Sequence, residues 1–353
     1  MPIEVVDIIV GKVDAASKLS VRKTTKILRS IVDSQKTKCK SVSLSLNRYV
    51  SKLRIENSLV TYRSEKDTFS KYKALNEYDS SDSDEDSPKW KLRKWAKMKT
   101  IVEDNHLKVA LNDFSSFLMN PNWKFKKLTI DFGSDQGHQW REVEEAKLIR
   151  ALDPLLSKFQ IHLENLTVKS ATLLPAVTFL PYFKSGVLKA LGFSSDVMDR
   201  DILEKIMKMD HWKDAEKFKF EKIPDWFDIQ NLFHAKRFTV ENCTIDEERL
   251  VKIRDVLLDS KTFEACTLKT SNNADLWDER QNNNELLHNI TDLVDRVLRD
   301  SLTYDSYMDE YLNEATGKSY TITVYLSCGT VELKIEQVPP FSDYLKQVEQ
   351  IQL

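Results

Sequence analysis

A single apolar pattern, apolar-x-x-apolar-x-apolar, recurs six times between residues 125 and 268 and constrains the fold more than any other feature. It stands at Phe125/Leu128/Ile130, Leu163/Leu166/Val168, Leu188/Leu191/Phe193, Ala215/Phe218/Phe220, Ala235/Phe238/Val240 and Phe263/Cys266/Leu268. The middle positions lie 38, 25, 27, 20 and 28 residues apart. Each pattern reads as a short strand, and helical periodicity fills the gaps, most clearly at 142–159, 201–212 and 246–258. The last of these has Thr244 or Asp246 as its N-cap. A strand-then-helix unit of roughly 20–29 residues is the signature of leucine-rich repeats. Such a unit cannot bury its own apolar face, so neighbours must stack. The expected fold is therefore α/β, with residues 90–272 forming an irregular leucine-rich-repeat-like βα solenoid.

The segments around this body have different patterns. In residues 1–38, Pro2 suits the first turn of a helix, where its missing N–H costs nothing. Val5, Val6 and Ile9 fall on one helical face, and Leu28, Ile31 and Val32 on another. A helical unit this small cannot build a core alone, so it reads as a docking module. Residues 39–75 switch to period two at 42–46, 53–55 and 59–62, which predicts a small antiparallel β segment with a tight turn at Glu56-Asn57-Ser58. Residues 76–89 are an acidic insertion, with six acidic residues among the twelve of 77–88 and no aliphatic side chain, and are expected to be disordered. Within it, Ser81 and Ser83 each precede an acidic residue by three positions, which makes them candidate phosphorylation sites. In the block that follows, Lys89–Lys99, six of eleven residues are basic, with Trp90 and Trp95 among them. With Trp90, Ala96 or Met98, and Ile101 on its apolar side, that composition suits an amphipathic helix packed on a domain better than a nucleic-acid surface. Residues 273–353 read as a long helix at 273–301, a hairpin of 320–327 with 331–338, and a final helix at 343–352, together capping the array.

Several chemistries are excluded. Only seven glycines occur, and neither GxGxxG nor GxxxxGK[ST] is present, so no phosphate cradle is expected. The six histidines form no HExxH, and the four cysteines, Cys39, Cys243, Cys266 and Cys328, form no CxxC. No GxSxG occurs. The chain is expected to be non-catalytic, to need no cofactor or metal, and to keep its thiols reduced in the cytoplasm or nucleus. No apolar run is long enough to span a membrane. Net charge is −2, but residues 1–75 hold sixteen Lys or Arg against seven Asp or Glu. A basic end of this kind favours an acidic partner through association rate and orientation.

The opening segment resembles an F-box, on Pro2, Val5, Ile9, Leu19, Val21, Leu28, Arg29, Val32 and Asp33. The body resembles the FTH domain found behind F-boxes in a nematode-expanded family. The strings that carry this are Met209-Asp210-His211-Trp212-Lys213-Asp214-Ala215, Phe238-Thr239-Val240-Glu241 and Leu250-Val251-Lys252-Ile253-Arg254-Asp255-Val256-Leu257. The resemblance departs from the motif at its start, where Met1 replaces the usual Leu before Pro2. It implies a substrate-recognition adaptor of an SCF-type cullin–RING ubiquitin ligase. Pro2, Ile3, Val5, Val6, Ile9, Leu19, Val21 and Leu28 would dock a Skp-family adaptor, and through it a cullin. The array would bind a target protein for degradation. The alternative is a non-catalytic interaction or neutralising protein that acts independently of the ligase.

Overall fold

The computed structural model describes residues 2–47, 50–64, 97–102, 105–118, 120, 122–133, 142–157, 160–271, 279–298, 303–305, 310–313, 318–327 and 330–338. The acidic insertion with Ser81 and Ser83, most of the basic block, Cys328 and the segment 343–352 lie outside the described residues. The chain is a mixed α/β protein that divides into two compact units. Unit 1 is Met1–Leu188 with Ser195–Ile206, and unit 2 is Lys189–Ser194 with Met207–Leu353.

Unit 1 begins with three helices, α1 (Ile3–Gly11), α2 (Ala15–Arg22) and α3 (Lys26–Ser34). Next come β1 (Thr37–Ser45), β2 (Val50–Ile55), β3 (Ser58–Arg63), β4 (Lys97–Val102) and helix α4 (His106–Leu118). The unit continues through β5 (Trp123–Asp131), α5 (Glu142–Leu156), β6 (Leu163–Thr172) and α6 (Leu174–Phe179). Its strands run in the order β6-β5-β1-β2-β3-β4.

The apolar triplets set the register. Phe125, Leu128 and Ile130 of β5 lie beside Leu163, Leu166 and Val168 of β6, and all six are buried. On the other edge of β5, the parallel strand β1 places Cys39, Val42 and Leu44 beside the same three residues. Cys39-x-x-Val42-x-Leu44 is thus a seventh copy of the pattern. The predicted antiparallel segment pairs as such through β1, β2 and β3, but β1 also stacks in parallel on β5. The β2–β3 turn has only Glu56 and Asn57 between the paired Ile55 and Ser58. Glu56 takes φ 52° there, in the left-handed region, while its carboxylate accepts the Lys40 N–H at 3.0 Å. Met98 and Ile101, expected on a helix, lie on β4, parallel to β3. The open edge of β3 accounts for that difference, because a strand laid there satisfies backbone groups that a helix would leave unpaired.

In unit 2 the strand order is β7 (Ala190–Val197), β8 (Lys217–Phe220), β9 (Arg237–Val240), β10 (Ala265–Ser271), β14 (Thr330–Gln337), β13 (Lys318–Ser327), β12 (Glu310–Asn313) and β11 (Thr303–Asp305). Strands β7 to β10 are parallel, with Leu191, Phe218, Phe238 and Cys266 side by side. Strand β14 then joins β10 antiparallel, laying Leu333 and Ile335 beside Leu268 and Cys266. The helices are α7 (Arg200–Lys208), α8 (Asp210–Lys213), α9 (Glu247–Asp259) and α10 (Glu279–Val297). Both β7 and α7 cross the division between the units. Of the two N-cap candidates for α9, Asp246 holds the position, and its carboxylate accepts the Arg249 N–H at 2.8 Å.

The helix expected over 201–212 is broken at Met209, whose extended backbone, with φ −72° and ψ 148°, separates α7 from α8. The break lets Trp212 turn into the core. Its ring lies 4.4 Å from Phe218, and Phe220 is 5.4 Å from Phe193 and 5.8 Å from Phe227. Replacing Phe220 with Ala removes the centre of this cluster and should cost about 3–5 kcal/mol in chemical denaturation. The three described cysteines are free and buried. Burial pushes the Cys39 and Cys243 thiols up to about 12, and Cys266 upward as well. Alkylation mapped by peptide mass spectrometry should therefore label Cys39, Cys243 and Cys266 only after denaturation.

Candidate functional site

The N-terminal helices expose apolar surface that the rest of unit 1 does not cover. Among the described residues, nine large apolar or aromatic side chains are exposed, and five of them lie on α1 and α3. They are Ile3 at 55%, Val5 at 41%, Ile8 at 62%, Ile9 at 50% and Ile27 at 64% of full exposure. Singly exposed apolar residues are ordinary on protein surfaces. A concentration of them on one small module marks an interaction site.

Local chemistry sets the three helices. The Pro2 carbonyl accepts the N–H groups of Val5 and Val6 at the start of α1. Asp14 caps α2 by accepting the Ser17 N–H at 2.8 Å, and Thr25 caps α3 by accepting the Leu28 N–H at 3.1 Å. Val10 of α1 is buried and Val6, one turn earlier, is half-buried, which turns Val5, Ile8 and Ile9 outward. Gln35 donates to the Asp7 backbone oxygen and carboxylate, both at 2.9 Å, and so fastens α1 to the end of α3.

Two polar clusters anchor the module to the sheet. Asp33 pairs with Arg22 through two contacts of 2.7 and 3.1 Å and also accepts from Asn120 at 3.1 Å. Asn122 donates to the Asp33 backbone oxygen at 2.7 Å, and its own carbonyl accepts the Thr37 N–H at the start of β1. In the second cluster, the Asp113 carboxylate on α4 accepts from Lys23 at 2.5 Å and from the buried Tyr62 hydroxyl at 2.7 Å. Burial and the adjacent Asp113 push the Tyr62 phenol upward, so it stays a donor. Nearby, the buried Lys18 donates to Thr37 at 3.1 Å. Burial lowers its pKa, partly opposed by Asp7.

Of the residues expected at the docking face, Pro2, Ile3, Val5 and Ile9 are exposed, and Val6, Val21 and Leu28 are half-buried. Leu19 lies on α2, but its side chain falls outside the described residues. Ile8 and Ile27, the two most exposed of the group, were not singled out by spacing. Helix α1 is IEVVDIIVG, apolar at six of nine positions, and no periodicity says which half of so apolar a helix turns inward. Among the described residues, no group of three or more His, Cys, Asp or Glu is placed to hold a metal ion, and no helix is long and apolar enough to cross a membrane.

The Trp212 cluster, the capped helix α9 and the parallel strands β8 to β10 all fall within one stretch of sequence. Residues 146–285 match the FTH domain. No curated protein matches the chain, and no solved structure does. The FTH strings around Met209 and Leu250 now have structural roles. Trp212 is buried, and its carbonyl accepts a hydrogen bond from His234 Nε2 at 2.9 Å. Leu250, Ile253 and Leu257 form the buried stripe of α9.

Asp33 can be separated from the exposed surface by mutation. Asp33→Ala leaves Arg22 and Asn120 without their acceptor and should cost about 2–3 kcal/mol, by loss of hydrogen bonds to a charged group. Urea titration followed by tryptophan fluorescence measures this. Ile8→Ser, at an exposed position, should leave the midpoint unchanged.

Proposed function

We propose that the chain is the target-recognition subunit of a cullin–RING ubiquitin ligase. Its N-terminal helices would act as an F-box that docks a Skp-family adaptor, and the βα array behind them would hold a target protein. The carrying observation is the exposed apolar surface of α1 and α3 in a chain with an FTH domain, a family associated with F-box proteins. An adaptor laid over Ile3, Val5, Ile8, Ile9 and Ile27 would remove those side chains from water, which is the main favourable term in such an interface. Lys26 and Arg29 on α3, and Lys12 just after α1, are exposed and would steer an acidic adaptor.

In this role the chain does no bond chemistry. It raises the local concentration of a target beside a ubiquitin-loaded enzyme, converting a bimolecular encounter into an intramolecular one. The parallel strands would act as a repeat solenoid whose solvent-facing residues choose the target. The compartment that suits this role is the cytoplasm or nucleus, where the buried thiols stay reduced.

Co-purification of the full chain with a Skp-family adaptor tests the reading. The wild-type chain should retain adaptor, and Ile8→Glu with Ile27→Glu should reduce retention by about tenfold or more, because each places a charge in a desolvated contact. Both positions are solvent-exposed, so thermal stability should be unchanged. A wild-type chain that retains no adaptor at low salt would remove the ligase reading and leave an interaction protein that acts alone.

A further inference from the structure

The solvent face of the strands in unit 1 carries an unbalanced charge. Strands β6, β5, β1 and β2 hold eight cations, Lys169, Lys124, Lys126, Lys127, Lys38, Lys40, Lys52 and Arg54, against the two carboxylates Glu164 and Asp131. Register places Lys38 directly beside Lys124, and puts Ser41 beside Lys127. Lys52 and Arg54 of β2 stand beside Ser45 and Ser43. The alternate residues Cys39, Val42, Leu44, Leu53 and Ile55 are buried, so these polar residues share the opposite, solvent face. Among the described residues, none of Lys38, Lys52, Lys124 and Lys127 has an ion-pair partner. Asp131 accepts the Gly133 N–H at 2.9 Å.

Unit 2 treats the same kind of position differently. Lys219 pairs with Glu241 at 2.7 Å, Arg237 with Glu264 at 2.7 Å and Lys236 with Glu216 at 3.2 Å. Lys269 pairs with Glu332 at 3.0 Å and Lys334 with Glu336 at 2.7 Å. In unit 1 the uncompensated cations are therefore Lys38, Lys52, Lys124 and Lys127, while Lys169 lies beside Asp131. Like charges directly opposed across neighbouring strands destabilise a sheet. Lys38 beside Lys124 is such a contact, and an anion laid across it relieves the repulsion.

We infer that this face binds an acidic polypeptide segment. The inference deepens the reading above, in which the array receives a target protein, by giving the chemistry of that target. Four strands at the usual spacing are about 15 Å across, which an extended peptide covers with about five residues. Carboxylates at alternate positions of such a segment would meet Lys52, the seryl hydroxyls of β1, and then Lys124 and Lys127. A single-stranded nucleic acid is the poorer occupant, because it needs aromatic side chains for stacking. No aromatic side chain stands among the solvent-facing residues of these four strands.

The test uses the full chain and a fluorescein-labelled peptide rich in Asp and Glu, followed by fluorescence anisotropy at about 0.1 M salt, where charges are screened beyond about 10 Å. Its Asn/Gln counterpart and a single-stranded oligonucleotide serve as comparison probes. The acidic peptide should bind, its neutral counterpart should not, and K38E/K124E/K127E should weaken binding at least about tenfold. K38Q/K124Q/K127Q should weaken it less, and reversing the ion-paired Lys219 should change it less than about twofold. Circular dichroism melts establish that each variant is folded. Equal binding by wild type and K38E/K124E/K127E overturns the inference. So does tighter binding of the oligonucleotide, which would put nucleic acid on this face. Adaptor retention in the same preparations separates the two readings. Retained adaptor without peptide binding sinks only the inference, and peptide binding without adaptor sinks only the ligase role.

Discussion

Each parallel strand that carries an apolar triplet buries side chains on one face and can cover none of them itself. That constraint organises both units. In unit 1, β1, β5 and β6 align Val42, Leu128 and Leu166, and helices supply the cover. In unit 2, β7 to β10 align Leu191, Phe218, Phe238 and Cys266 in the same way. A parallel stack has edges, and an open edge presents unpaired backbone groups. Here antiparallel strands complete the pairing, β2 on β1 and β14 on β10. The polar side chains left on the other face are then free to vary, and in unit 1 they include the adjacent lysines Lys38 and Lys124.

The N-terminal helices depend on the sheet through charge and hydrogen bonds as much as through apolar contact. Few of their apolar residues point inward, with Val10, Ala15, Ile31 and Val32 buried. The remaining attachment runs through Asp33 to Arg22, Asn120 and Asn122, and through Asp113 to Lys23 and Tyr62. Hydrogen bonds to charged groups are worth more than neutral ones and fix geometry as well as distance. The helices can therefore turn apolar side chains to solvent and still hold their position on the sheet. A module held only by apolar burial would have to spend those side chains on its own attachment.

Much of the strand pattern was legible, because each apolar triplet is buried as a set and leaves a spacing visible in the sequence. The same spacing at Cys39, Val42 and Leu44 was overlooked. Its parallel partner β5 starts some 80 residues later, and local alternation with β2 and β3 already explained the segment. Periodicity reports what a stretch buries and is blind to which distant strand lies alongside. Strand β4 was misread for a related reason, since Met98 and Ile101 lie three apart, a helical spacing, while the edge of β3 drew the segment into the sheet. The exposed apolar surface was legible as a segment, but α1 is apolar at six of nine positions, so its outward half was not. Asp33 stood in the sequence as one letter of a motif, and only the fold shows its four polar contacts.

The two proposed surfaces differ in physical kind, and that difference bears on how an adaptor would work. An apolar patch such as Ile8 and Ile27 acts at short range, where water is expelled, and governs how long a complex lasts. A cluster of unpaired lysines acts over about 10 Å at moderate salt and governs how fast and in what orientation a partner arrives. A subunit that stays with its ligase while sampling targets needs slow dissociation at the first contact and fast exchange at the second. Net charge of the whole chain, −2, conceals this division, because the acidic residues that balance the total lie elsewhere in the sequence. The physical separation of apolar retention from electrostatic capture is what would let one small unit serve both contacts at once.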